Sequence, residues 1–196
     1  MAGYNEMPKI VEIASPDIRS HLWSFYWIAR LVQAKTIIEL GVRQGDSTRA
    51  WLAAAYDLNA QVISYDLVAD CYLAVVAKAQ EAGLSWECYA SSWEFRQGDS
   101  IGAGEGWTGD QVDVVFIDTD HTLVTTTKEL AVWQRRVRPG GVMVLHDYGL
   151  PERDGRDGVQ PAVDDFMRND KADIWTLEAY PWAQLPGDAG LAILWK

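Results

Sequence analysis

Residues 36–48 read TIIELGVRQGDST. Thr36 to Leu40 is a short β-branched and apolar run that stops at Gly41, and a second glycine follows at Gly45. A run bounded by glycine and followed by helical periodicity predicts a buried parallel strand turning into a helix. Both glycines permit a tight turn and a close approach of ligand to backbone. Asp46, Ser47 and Thr48 can cap the helix that carries Arg49 to Tyr56. Glu39 falls at the carboxyl end of the strand, where open α/β sheets bind their ligands. A carboxylate there suits an amine or a hydroxyl and would repel a phosphate. The turn is not GxGxxG, because Val42, Arg43 and Gln44 separate the glycines, which counts against a nicotinamide or flavin site.

Outward from this stretch, strands and helices alternate. Gln61 to Leu67 reads as a second strand closed by Asp66, Val68 to Ala82 as a helix, and Trp93 to Gln97 as a third strand before Gly98-Asp99-Ser100. Leu84 to Ala90 admits either state, and the glycine-rich 101–110 reads as a loop. Val112 to Asp118 is nearly continuous in apolar residues, as a strand buried on both faces should be. A helix over Leu123 to Val137, a turn at Arg138-Pro139-Gly140-Gly141 and a strand over Val142 to Leu145 follow. Gly149 to Gly158 reads as a polar loop able to close over a substrate, and Val159 to Arg168 as a short helix. Two last strands, Asp173 to Tyr180 and Leu191 to Trp195, meet without a helix between them. Alternation implies a parallel sheet covered on both faces, and the terminal hairpin adds one antiparallel strand. The expected fold is α/β and Rossmann-like, with seven strands in one domain over 1–196. Residues 1–14 are read as a loose arm. Ser15-Pro16-Asp17 is read as the start of the first helix, whose apolar residues run around much of its circumference and so suit packing on the sheet and also on a partner subunit, as in a homodimer, or on a substrate.

A length of 196 residues suits one domain. Lys and Arg number 17 against 28 Asp and Glu, a net charge of −11. That balance argues against nucleic acid and anionic membrane surfaces as partners. There are two cysteines and no CxxC, so neither a zinc knuckle nor a disulfide framework is expected. No apolar run reaches membrane-span length, and a polar opening without a signal peptide predicts a cytoplasmic protein.

Three strand ends converge in this scheme: Glu39 to Gly45, Asp118-Thr119-Asp120-His121, and His146-Asp147-Tyr148. The first and fourth strands should be neighbours across the switch point, where ligands bind. Carboxylates clustered with imidazoles would repel one another unless a cation or shared protons stabilised them, and this donor set suits magnesium, manganese or iron. Each member also has a plainer reading: Asp66, Asp118 and Asp120 as helix caps, Asp99 as a turn residue, His121 as an exposed first-turn residue, His146 as a core histidine.

Glu39-Leu40-Gly41 resembles the acidic-x-Gly opening of class I S-adenosylmethionine-dependent methyltransferases. VDVVFIDTDHT, RPGGVMVLHDYG and GVQPAVDDF are similar to the small metal-dependent O-methyltransferases. These include the sugar O-methyltransferases of macrolide and aminocoumarin biosynthesis and the family called cephalosporin hydroxylase-like. The likeness runs from about Thr36 to Phe166. It implies S-adenosylmethionine across Glu39, Gly41, Val42, Gly45 and Ser47, with Asp66 and Leu67 at its ribose, Asp99 and Ser100 near its adenine, and Asp118 beside it. It implies a divalent cation such as magnesium on Asp118, His146 and Asp147, and His121 as the base. Here His146 stands where the sugar enzymes carry Asp or Glu, one negative charge fewer. The implied reaction is methyl transfer to a hydroxyl of a small molecule, a sugar or a phenol. A non-catalytic S-adenosylmethionine-binding protein and a nicotinamide-dependent oxidoreductase are the alternatives.

Overall fold

The first strand, β1 (Thr36–Leu40), is buried from Ile37 to Leu40 and pairs in parallel with two neighbours. In the computed structural model, which describes residues 1–84, 86–149, 158–169, 175–180 and 190–196, those neighbours are β2 (Gln61–Asp66) and β4 (Val112–Ile117). With β3 (Trp93–Gln97), β5 (Val137–His146), β6 (Thr176–Tyr180) and β7 (Leu191–Trp195) they form a seven-stranded sheet of order β3-β2-β1-β4-β5-β7-β6. Strands β1 to β5 are mutually parallel, and β7 runs antiparallel between β5 and β6. The alternation of elements thus gives the expected class I arrangement. The switch point lies between β1 and β4.

Period-two alternation divides the core. Ile37 faces one apolar layer, with Phe25, Trp51 and Phe116; Ile38 and Leu40 face the other, with Trp133, Leu145 and Phe166. Helices α2 (Leu22–Leu31) and α3 (Asp46–Leu58) carry the first layer, and α7 (Leu123–Trp133) and α8 (Val159–Arg168) the second. Phe25 stacks on Trp51 with ring centroids 4.9 Å apart, and Phe116 meets both rings.

The amino-terminal segment differs from the expected loose arm. Ala2–Glu12 is a helix, α1, with Met7 and Ile10 fully buried. Asp57 of α3 ties it down by accepting from the backbone N–H groups of Gly3 and Tyr4. The next helix starts later than Ser15-Pro16-Asp17 implies: a 3₁₀ turn spans Arg19–His21 and α2 begins at Leu22. Ser15 is engaged elsewhere, its N–H donating to Asp46 at 3.2 Å. Cys71–Glu81 and Trp86–Ala90 form α4 and α5. The glycine-rich stretch after β3 contains a short helix, α6 (Ser100–Glu105), in place of the expected loop. Asp99 caps it by accepting from Gly102 N–H, and Arg136 Nε binds the Gly104 carbonyl at 3.2 Å. The Pro-Gly-Gly turn is absorbed into β5, whose pairing with β4 shifts register between Val112 and Val114. Most of the expected loop at 149–158 lies at 150–157, outside the described residues, as do 173–174 of the expected sixth strand and the turns at 181–189. Among the described residues no helix is long and apolar enough to cross a membrane.

At the switch point Leu40 accepts from Asp118 N–H at 2.8 Å, and Gly41 N–H donates to Tyr65 at 2.9 Å. Gly41 has φ +89°, and a Cβ there would sit 2.0 Å from the Asp118 carbonyl oxygen. Backbone occupies the space, so no rotamer change relieves the clash. Gly41→Ala should therefore destabilise the fold by at least ~2 kcal/mol, combining left-handed strain with the collision, as measured by urea unfolding. A variant of wild-type stability would contradict this packing.

Candidate active site

A cavity of about 760 Å³ opens at the carboxyl ends of β1 to β5. Its walls come from the turn after β1 (Gly41 to Gln44, Asp46, Ser47), the end of β2 (Tyr65 to Val68), the segment after β3 (Gly98 to Ile101), the segment after β4 (Asp118 to His121), and His146-Asp147. Asp17 and Ile18, just before the 3₁₀ turn, complete it. Seven aspartates line it, which favours a cationic ligand.

The turn is held from below and from the side. Gly45, with φ +73°, occupies the N-cap position of α3, and no side chain caps that helix. Ser47 and Thr48 are directed inward instead, to Glu39. Glu39 is fully buried and accepts from Ser47 Oγ at 2.6 Å, Thr48 Oγ1 at 2.8 Å and Ser64 Oγ at 2.6 Å. It does not line the cavity. The strand's own period explains this: Glu39 shares Ile37's face, the one α3 covers. Burial pushes its carboxyl up to about 7 against the three hydroxyl bonds. Asp66 does line the cavity, and it also accepts from the N–H groups of Val42, Arg43 and Val68. Burial raises its carboxyl, but these backbone donors outweigh that and lower it. Asp66 is thus the strut that holds the glycine turn against β2. Of the other residues that the resemblance implied for the cofactor, Gly41, Val42, Ser47, Leu67, Asp99 and Ser100 line the cavity and Gly45 does not.

The structure brings four titratable side chains together at one end. His121 Nε2 lies 3.1 Å from Asp118 Oδ1 and 2.8 Å from Asp147 Oδ2. His146 Nδ1 lies 3.2 Å from Asp147 Oδ2 and 3.5 Å from Asp118 Oδ1, ion-pair contacts that leave this buried nitrogen without an aligned hydrogen bond. Its Nε2 is 3.3 Å from the Asp17 carbonyl. Burial works to raise Asp118, but the charge of His146 and the bond to His121 hold it well below the ordinary carboxylate range. Burial likewise opposes the lowering of Asp147 by its two histidine contacts. Burial works to lower His121, and its bonds to Asp118 and Asp147 push it up to about 9. His146 is held well above its ordinary value by the same two carboxylates, against its burial. Two imidazolium charges therefore balance two carboxylates. His121 and Asp147 both adopt left-handed backbone, φ +61° and φ +60°, which costs about 1 kcal/mol or more for such residues. Asp118, His121 and Asp147 each offer a ligand atom, all within 4.8 Å of one another. The set expected from sequence, Asp118, His146 and Asp147, thus gains His121, while His146 lies deeper. Asp120 lines the cavity but serves locally, accepting from Thr122 and Thr125 at the start of α7.

Residues 38–148, more than half of the chain and spanning β1 to Tyr148, match the methyltransferase-domain family. The chain belongs to the class I S-adenosylmethionine-dependent methyltransferases. Solved structures agree at the level of fold. The O-methyltransferase from Bacillus cereus in complex with SAH is 16% identical, with a TM-score of 0.71, covering 98% of this chain and 91% of that one. TomG, the O-methyltransferase from Streptomyces achromogenes in complex with SAM, is 19% identical at a TM-score of 0.69, covering 99% and 88%. SAH-bound PaMTH1 from Podospora anserina is 16% identical at 0.68, covering 97% and 88%. A sequence search of curated proteins gave no match.

This methyltransferase has site features that the sequence reading missed. Asp17 and Ile18 reach the cavity from a segment read as a helix start. Tyr65 lines it from β2. Glu129, buried on α7, accepts from the cavity residues Ser100 and Thr119. It lies four residues before the buried Trp133, about one helical turn, so helical spacing puts the two on one face.

Glu39 gives a signed pH test. Its carboxyl is raised from 4.5 to about 7 in the folded state. Its contribution to stability is therefore fully present below pH 4.5, fades as the pH rises through about 7, and is flat above that. Relative to Glu39→Gln, the wild type should lose on the order of 3 kcal/mol across that window. Chemical denaturation of both proteins at pH 4.5, 6 and 8 measures the difference, and an unchanged difference would contradict an uncharged-favouring site.

Proposed function

We propose that the chain transfers the methyl group of S-adenosylmethionine to a hydroxyl of a small molecule carrying neighbouring hydroxyls, a sugar or a phenol, with help from a divalent cation. The observation that carries this reading is the convergence of Asp118, His121 and Asp147 at one end of the cavity of a methyltransferase fold. The two carboxylate oxygens fit a hard or borderline cation, and the imidazole of His121 beside them is placed to act as a base. The buried Nδ1 of His146, which faces the same carboxylates without an aligned hydrogen bond, supports the fit.

In this reading the cofactor's sulfonium lies near Asp118, its ribose at Asp66 and Leu67 where β2 ends, and its adenine beyond, at Asp99 and Ser100 after β3. Gly41, Val42, Gly45 and Ser47 form the turn it crosses. Glu39 is a support for that turn through Ser47. When bound, the cofactor supplies a methyl on a positively charged sulfur, and its in-line passage to the hydroxyl oxygen leaves a neutral thioether. Asp118, Asp147 and His146 would hold the cation, whose charge lowers the pKa of a bound hydroxyl. His121 accepts the hydroxyl proton at Nε2. Alone between two carboxylates it is a poor base at neutral pH, because it already holds a proton up to about pH 9. A cation sharing those carboxylates would weaken their hold and return the imidazole toward its ordinary value of 6.5. The acidic walls favour the sulfonium, and fixed positions for both reactants supply much of the rate.

Radiolabelled methyl transfer to catechol and to methyl glycosides, with magnesium and with EDTA, tests this reading. Transfer should require the cation and fall at least ~10²-fold in Asp118→Ala. His121→Ala should lower kcat by about 10²–10⁴-fold while cofactor affinity moves less than ~threefold. Transfer that is indifferent to EDTA and to Asp118→Ala would remove the cation from the reaction.

A further inference from the structure

Glu129 is fully buried on α7, and methyl transfer as described makes no use of it. Its partners are two hydroxyls on the cavity wall: Ser100 Oγ at 2.5 Å and Thr119 Oγ1 at 3.1 Å. The same helix fixes the Ser100 backbone, since Trp133 Nε1 donates to the Ser100 carbonyl at 3.0 Å. A free hydroxyl can rotate to show a ligand either its proton or its lone pairs. An ionised carboxylate only accepts. Where Glu129 is ionised, each hydroxyl therefore spends its single proton on it, and only lone pairs remain for the cavity. This stretch of wall is a pair of fixed acceptors, matched to an N–H donor and repelled by a carbonyl oxygen.

We infer that Glu129 is a positioning residue for purine specificity: by holding Ser100 and Thr119 as acceptors, it makes the cavity select a 6-amino purine over a 6-oxo purine. The inference rests on the cofactor reading above, which brings the adenine to Ser100. A buried polar group left facing the wrong partner costs more than a missing contact, so the discrimination does not need a direct contact from Glu129 itself.

The experiment is calorimetric titration of wild type, Glu129→Gln and Ser100→Ala with S-adenosylhomocysteine and with S-inosylhomocysteine, in which a 6-oxo group replaces the amino group. It is run at pH 8, above the value of about 7 to which burial pushes the Glu129 carboxyl. Wild type should prefer the adenosyl ligand by about tenfold or more, and Glu129→Gln, whose amide donates to a hydroxyl and frees its proton, should narrow this to ~threefold or less. Thermal unfolding checks that the variant folds. If it does not, the half-buried Ser100→Ala carries the test, with affinity lost for the adenosyl ligand and kept for the inosyl one. A preference that survives in the variants, or an equal weakening of both ligands, overturns the inference and leaves cofactor binding intact. So does a wild type that binds both ligands equally. A wild type that binds neither overturns the cofactor reading, and the inference with it.

Discussion

The site depends on one backbone contact, the approach of Gly41 to the Asp118 carbonyl at the switch point. A Cβ on residue 41 would stand 2.0 Å from that oxygen, so the ends of β1 and β4 close only because residue 41 has no side chain. This closure puts the glycine turn and the start of the Asp118–His121 segment on one rim. Everything chemical follows from it. The turn rises away from β1 and is braced by Asp66 through Val42 and Arg43. Glu39 braces the beginning of α3 from underneath through Ser47 and Thr48. The next strand over, β5, delivers His146 and Asp147 to the same rim.

Charge is arranged in two different ways around that rim. Glu39 and Glu129 are buried against hydroxyl donors, and burial pushes both up to about 7. Their burial costs are limited by three donors in one case and two in the other. Asp118 and Asp147 sit against imidazoles and are lowered. The first pair shapes the walls; the second concentrates mobile charge at the end where the strand termini meet. A pair of carboxylates stabilised by imidazolium protons can exchange those protons for a cation, because both satisfy the same electrostatic demand. Left-handed backbone at His121 and Asp147 is the local strain that holds their side chains face to face.

Much of this was legible in the sequence. Buried parallel strands announce themselves by continuous apolar runs, and β1 and β4 begin where the runs do. The cluster was legible because strand ends in this topology share one edge, so Asp118, His121, His146 and Asp147 could be brought together from spacing alone. Glu39 was misplaced because its position at the strand end outweighed its parity, and parity decides which face a side chain takes. The α1 helix was hidden by its polar opening and by Pro8, while its stability comes from contacts with α3 far along the chain. Two glycines in six residues disguised α6; a cap and bonds from α7 and the segment after it compensate for their low propensity. Long-range partners of this kind leave no local pattern.

The most direct measurement is isothermal titration of the wild-type protein with S-adenosylmethionine, repeated on Asp66→Ala. Binding near the micromolar range, weakened at least ~tenfold when the strut of the glycine turn is removed, is the result this account predicts. A folded wild-type protein that takes up no S-adenosylmethionine would contradict it.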